Sequence, residues 1–204
     1  SPAGNGRLAR VSSGTLESLL ARNIGRRIVL MLDVFPFFFI GRITCMRLEV
    51  VVVEALQGIP IQFVGRHLRI TIDCLVAFWI EDDEHPIPSL DDFATALSCP
   101  PFDFQGGVQE CEPDPVQPTL ETLLGRTLLF VLDPERIVIL AQTTRPIFVA
   151  KLAAVHCDYV RLETVNIRFS SAPFFVFPLP LFVPIPQICV FTPFQRDIAF
   201  PLTL

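Results

Sequence analysis

The chain carries the same pattern twice, and that repeat constrains its fold more than any other feature. Thr15-Leu16-Glu17-Ser18-Leu19-Leu20 returns as Thr119-Leu120-Glu121-Thr122-Leu123-Leu124. Gly25-Arg26-Arg27-Ile28-Val29-Leu30-Met31-Leu32-Asp33 returns as Gly125-Arg126-Thr127-Leu128-Leu129-Phe130-Val131-Leu132-Asp133. Residues 43–54 align with 152–163, so that the acids coincide at Glu49 with Asp158 and at Glu54 with Glu163. Residues 70–78 align with 183–191. The offset drifts from 100 to 113 residues between blocks, which places insertions and deletions in connecting loops. Recurrence of this kind marks duplicated structural units. What recurs is apolar patterning and turn chemistry, with no set of catalytic groups.

Each copy has the same outline. Thr15 and Thr119 fit helix N-caps, with Glu17 and Glu121 favourable in the first turn. Leucines then recur at helical spacing, and Gly25 or Gly125 ends or follows the helix. Enrichment in Val, Ile and Phe predicts strands over 27–32, 37–47, 50–56 and 68–80 in the first copy. In the second it predicts them over 127–132, 136–142, 147–155, 159–168, 174–177 and 181–191. Between the copies, Ser89-Leu90-Asp91-Asp92 reads as a helix start that Cys99-Pro100-Pro101 stops, followed by a linker to Pro118. The expected layout is a tail over 1–12, a first copy over 13–80, an acidic and helical linker over 81–117, a second copy over 118–192 and a tail over 193–204.

The second copy, and more weakly the first, resembles Sm-like small β-barrels through residues of the second copy. These are Thr119 to Arg126, then Val155-His156-Cys157-Asp158-Tyr159-Val160-Arg161-Leu162, then Phe182 to Phe191. They look like a family of Sm-like domains from spore-forming Firmicutes, some of whose members are associated with the spore coat. The resemblance implies a mainly β fold of two tandem Sm-like barrels, each with a short N-terminal helix, plus an inter-domain helix and linker. It also implies a setting in a spore coat or at the cell exterior. The first copy departs from the pattern, with Arg47-Leu48-Glu49-Val50 where the second has His156-Cys157-Asp158-Tyr159. Neither copy has the Arg-Gly-Asp/Asn type of loop that RNA-binding Sm proteins use.

Composition bears on what such a chain does. Of 204 residues, 51% are hydrophobic and only 18% charged, against about 25% charged in an ordinary domain. Too little polar surface remains to coat two small domains, so burial in a homo-oligomer or filament is expected. The C-terminal tail alternates around Ile198, Phe200 and Leu202, a pattern suited to adding a strand to a neighbour's sheet edge or to folding back on its own domain. A net charge of −5 with no basic run argues against nucleic acid as a partner. A nucleic-acid-binding module is the alternative reading, with Arg26, Arg27, Arg66 and Arg69 as its candidate contacts. Residues 172–194 are uncharged, yet Pro173, Pro178, Pro180, Pro184, Pro186 and Pro193 exclude a spanning helix.

Catalytic, cofactor and metal signatures are missing from the sequence. There is no GxSxG, P-loop, GxGxxG or CxxC motif. His156-Cys157-Asp158 reads as a hairpin turn, and His85 lies in an acidic turn with Glu81 to Glu84. Cys45, Cys74 and Cys189 fall in predicted strands and Cys157 in the turn between two of them, and all four read as small buried hydrophobes. Cys99 and Cys111 flank a loop and are candidates for a disulfide in an oxidising environment. The expected function is therefore a non-catalytic structural protein that assembles into a ring, fibre or coat-like layer.

Overall fold

The computed structural model describes residues 11–12, 14–35, 37–87, 114–134, 137–139, 142–144, 146–167 and 176–194, with backbone alone at 11–12, 137–139 and 142–144. β1 (Val11–Ser12) precedes the first repeat, whose elements are α1 (Leu16–Arg22), β2 (Arg27–Leu32), β3 (Phe38–Arg47), β4 (Val50–Gln57), β5 (His67–Thr71) and β6 (Leu75–Ile80). In the second they are α2 (Gln117–Glu121), β7 (Thr127–Leu132), β8 (Ile137–Ile139), β9 (Gln142–Thr144), β10 (Ile147–His156), β11 (Tyr159–Ile167), β12 (Leu181–Pro184) and β13 (Ile188–Pro193). The fold is mainly β, as expected.

The duplication holds down to individual hydrogen bonds. Gly25 N–H donates to Ile43 O at 2.7 Å, and Gly125 N–H to Leu152 O at 2.8 Å. Ile43 and Leu152 donate back to Arg26 O and Arg126 O, both at 3.0 Å. Ile72 N–H reaches Glu49 O at 3.0 Å, as Ile185 N–H reaches Asp158 O at 2.8 Å. Both glycines follow their helix at positive φ, +92° and +78°, where a side chain would be strained. The shared turn chemistry thus aims each helix and first strand identically.

Strand order repeats as well. The sheet runs β13-β7-β10-β11-β12-β6-β2-β3-β4-β5, with β1 off this path and parallel to β10. In each repeat the last strand therefore flanks the first, and the fourth lies at the far side. β8 and β9 form a separate hairpin. The two repeats meet where β12 pairs antiparallel with β6, at Phe182 opposite Phe78. The result is one open sheet path through both repeats. The sheet does not close on itself, because the edges of β6 and β12 satisfy each other across the repeats.

Three local expectations are corrected. The strands expected over 68–80 and 181–191 are each broken by a 3-10 turn, at Ile72–Cys74 and Ile185–Gln187. The turn carries the chain from one side of the repeat to the other, so one apolar run serves two strands that are not neighbours. The run expected over 136–142 is instead the short hairpin of β8 and β9. Thr15 caps α1 as expected, accepting from Ser18 N–H at 3.2 Å. Thr119 does not cap α2, which begins at Gln117. Asp114 draws the start forward, its carboxylate accepting from Val116 N–H at 2.9 Å. The expected helix over 89–97 lies outside the described residues.

A continuous core fills both repeats. It includes Leu20, Ile28, Leu30, Phe39, Ile43, Val53 and Trp79 in the first, and Leu120, Leu128, Phe130, Phe148, Leu152 and Val165 in the second. No helix among the described residues is long and apolar enough to cross a membrane.

Candidate assembly surfaces

Among the described residues, the contact between the repeats gathers the densest set of aromatic contacts. Phe182 sits at its centre. Trp79 stacks on it at 5.0 Å between ring centroids, Phe78 lies at 5.4 Å and Tyr159 meets it edge-on at 5.8 Å. Such aromatic pairs contribute about 0.5–1.5 kcal/mol each beyond the area they bury. The Arg161 guanidinium lies 5.4 Å over the Trp79 ring. A cation on an aromatic face gains about 0.5–2 kcal/mol.

The stack extends outward on both sides. His156 lies nearly parallel on Tyr159 at 4.2 Å, and burial pushes its imidazole down to about 4. Burial likewise pushes the Tyr159 hydroxyl up to about 12. On the other side, His85 meets Trp79 edge-on at 5.4 Å. The acidic turn holds His85 there: Asp82 Oδ1 accepts from His85 N–H at 2.7 Å and faces its Nδ1 at 3.1 Å.

A second contact ties helix to hairpin. The amide of Leu16, first residue of α1, donates to both oxygens of Asp158 at 2.9 and 3.1 Å. Burial nevertheless holds the Asp158 carboxyl above its ordinary value. Burial first, then the charges of Glu49 and Asp158, raise Glu17 on the same helix. A third contact joins the 3-10 turns, where Gln187 Nε2 donates to Asp73 O at 3.0 Å. The His156-Cys157-Asp158 cluster is thus a hairpin turn that docks the first helix.

The outer edges differ from this joint. Among the described residues, nothing pairs with the far side of β5 or of β13. β5 exposes Arg69 and Thr71, and β13 exposes Cys189, Val190, Thr192 and Pro193. The first repeat also ends in an exposed apolar tip. Phe35 packs edge-on against Phe37 at 6.3 Å and Phe63 at 5.9 Å, beside exposed Val34, Ile61 and Val64.

The four arginines offered as nucleic-acid contacts do not form one track. Arg27 Nε donates to Glu81 Oε2 at 2.9 Å in a bidentate pair, and Arg26 donates to Glu81 O at 3.0 Å. Arg69 lies on β5, separated from Arg27 on β2 by two intervening strands. Glu54, the one charged residue among the buried ones described, faces Arg42 on one neighbouring strand and His67 on the other.

The cysteine reading needs correction. Cys45 and Cys157 are disulfide-bonded, while Cys74 and Cys189 are free thiols and Cys189 is exposed. Short apolar context does not separate a packed thiol from an oxidised one, because both favour burial. The Cys99 and Cys111 pairing and the tail strand of Ile198, Phe200 and Leu202 lie outside the described residues. No group of three metal-ligating side chains occurs among the described residues.

Sequence reasoning placed assembly in the tail and missed Trp79, Phe182, Arg161 and Asp158. Trp79 offered a signal, since it is the only tryptophan in the chain. Comparison with known protein families and with characterised proteins gives no match.

Proposed function

We propose that this is a non-catalytic structural protein that self-assembles through β-edge and apolar-surface contacts, its two repeats built as Sm-like small barrels. The observation that carries this reading is the joint itself. One chain already associates two homologous units edge to edge, and the counterparts of those two edges, on β13 and β5, stay open among its described residues. Unpaired strand edges are templates for further pairing unless they are covered or charged. The tip of Val34, Phe35, Ile61 and Val64 adds an apolar surface of the kind that association covers. A ring, a fibre or a coat-like layer follows from how successive contacts are rotated.

Size-exclusion chromatography with light scattering tests the proposal on the full chain. The expected result is a mass that is a multiple of 22.8 kDa and rises with concentration. A constant monomer mass up to high concentration would remove the reading.

A further inference from the structure

We infer that β13 of one molecule adds to β5 of a second copy, repeating between chains the contact that β6 makes with β12 within one. The inference rests on the self-association reading and names its partner and register.

The two last strands are equivalent residue by residue. β6 pairs with β2 as Phe78 to Leu30, Ala77 to Met31 and Leu75 to Leu32. β13 pairs with β7 as Phe191 to Phe130, Val190 to Val131 and Ile188 to Leu132. Each strand carries its irregularity at the same place, so Val76 and Cys189 are skipped alike. Phe191 therefore stands where Phe78 stands.

The two fourth strands are equivalent too. Phe182 lies opposite Arg161 on β11, and Arg69 lies opposite Val52 on β4. Val183 pairs with Val160 as Ile70 pairs with Val51. Within the chain Phe182 faces Phe78. Carried across, Arg69 of one molecule faces Phe191 of the next. That pair places a cation against an aromatic ring, the same chemistry that Arg161 and Trp79 supply at the joint.

The joint is head-to-tail: a fourth strand meets a last strand, never its own kind. A contact of this type uses two different surfaces and leaves both available on the ends of any oligomer. It generates rings or open filaments rather than a closed pair. The contact between chains is weaker than the joint, for a structural reason. At the joint the Leu16 amide is free to reach Asp158. The equivalent Leu120 amide already donates to Val116 O at 3.1 Å, because α2 starts a turn earlier. Glu49, the counterpart of Asp158, has no such donor to receive. Successive copies therefore lack the helix-to-hairpin contact that the joint has.

Cysteine pairing reads the register directly, since opposed strand positions lie within disulfide reach. The full chain would carry Cys74→Ser and Cys189→Ser, to remove the free thiols, together with Arg69→Cys and Phe191→Cys. Mild oxidation should give a ladder of covalent multimers on denaturing gels, lost on reduction. Mixing chains that carry one new cysteine each should stop at the dimer. Moving the first cysteine two residues, to Thr71→Cys, should cut the yield several-fold. Val190→Lys, on exposed β13, should shift association at least tenfold higher in concentration. An oligomer that shows no ladder and ignores Val190→Lys would overturn this inference while leaving self-association standing. A monomer at every concentration would overturn both.

Discussion

β6 and β13 are the same strand in two settings. They share register, irregularity and position beside the first strand of their repeat. Yet all six residues of β6 are buried, while β13 has none in that class. The difference comes from the neighbour on the far side. β6 has β12 and the ring of Phe182 against it; β13 has no strand there among the described residues. Local sequence and turn chemistry set where a strand lies, and its partners decide what it hides.

The largest expected effect separates the two strands directly. Phe78→Ala should cost about 3–5 kcal/mol, as for a large aromatic removed from a packed core. Phe191→Ala should cost about 1–2 kcal/mol in dilute protein, because that ring is only half-buried. Urea denaturation compares them, and equal losses would erase the distinction between joint and edge. Next comes Gly41. A Cβ there would collide with Val53 Cγ1 and stand 2.7 Å from Glu54 O. Gly41→Ala should cost about 1–3 kcal/mol. The second repeat holds Ala150 at that place, opposite Leu128 as Gly41 is opposite Ile28. Ala150→Gly should cost only about 0.5–1 kcal/mol.

Acid should act on the second repeat more than on the first. His156 titrates at about 4 when folded, below its ordinary 6.5. The unfolded chain therefore takes the proton first, and stability falls as pH drops from 6.5 towards 4. After allowing for screening of this partly exposed ring, the loss is on the order of 1–2 kcal/mol. Asp158 and Glu17 run the other way: their raised carboxyls gain protons first in the folded state. The difference between the wild type and His156→Phe isolates the imidazole. Denaturation at pH 7 and pH 4.5 should show a smaller loss for the variant. Arg47 occupies the equivalent place in the first repeat.

The smallest effect tests the helices. Thr15→Ala should cost about 1 kcal/mol through loss of the cap to Ser18 N–H. Thr119→Ala should cost a few tenths at most, since Thr119 lies inside α2 and caps nothing. Thermal melts by circular dichroism resolve the pair, and an equal cost would restore Thr119 as a cap.

Much of the fold was legible in the residues. The alternation of apolar blocks located β2, β3, β4, β7, β10 and β11 within a residue or two, since strand patterning is local. The alignment of residues 70–78 with 183–191 also identified the positions that proved equivalent in space. The breaks at Ile72–Cys74 and Ile185–Gln187 were not legible. An apolar run reads alike whether it is one strand or two, and only the strands it must reach tell them apart. The start of α2 was misplaced for a related reason, as a threonine resembles a cap until an aspartate upstream captures the helix start.

By itself, then, the sequence determined the repeat: two helices, two sets of strands and the glycine turns that orient them, all set by contacts within a few residues. The tertiary structure decided which edges meet. Pairing β12 with β6, stacking Trp79 on Phe182 and bringing Asp158 to the Leu16 amide join residues roughly 100 or more positions apart. No local pattern encodes such contacts, because their stability depends on both partners being folded and in register first.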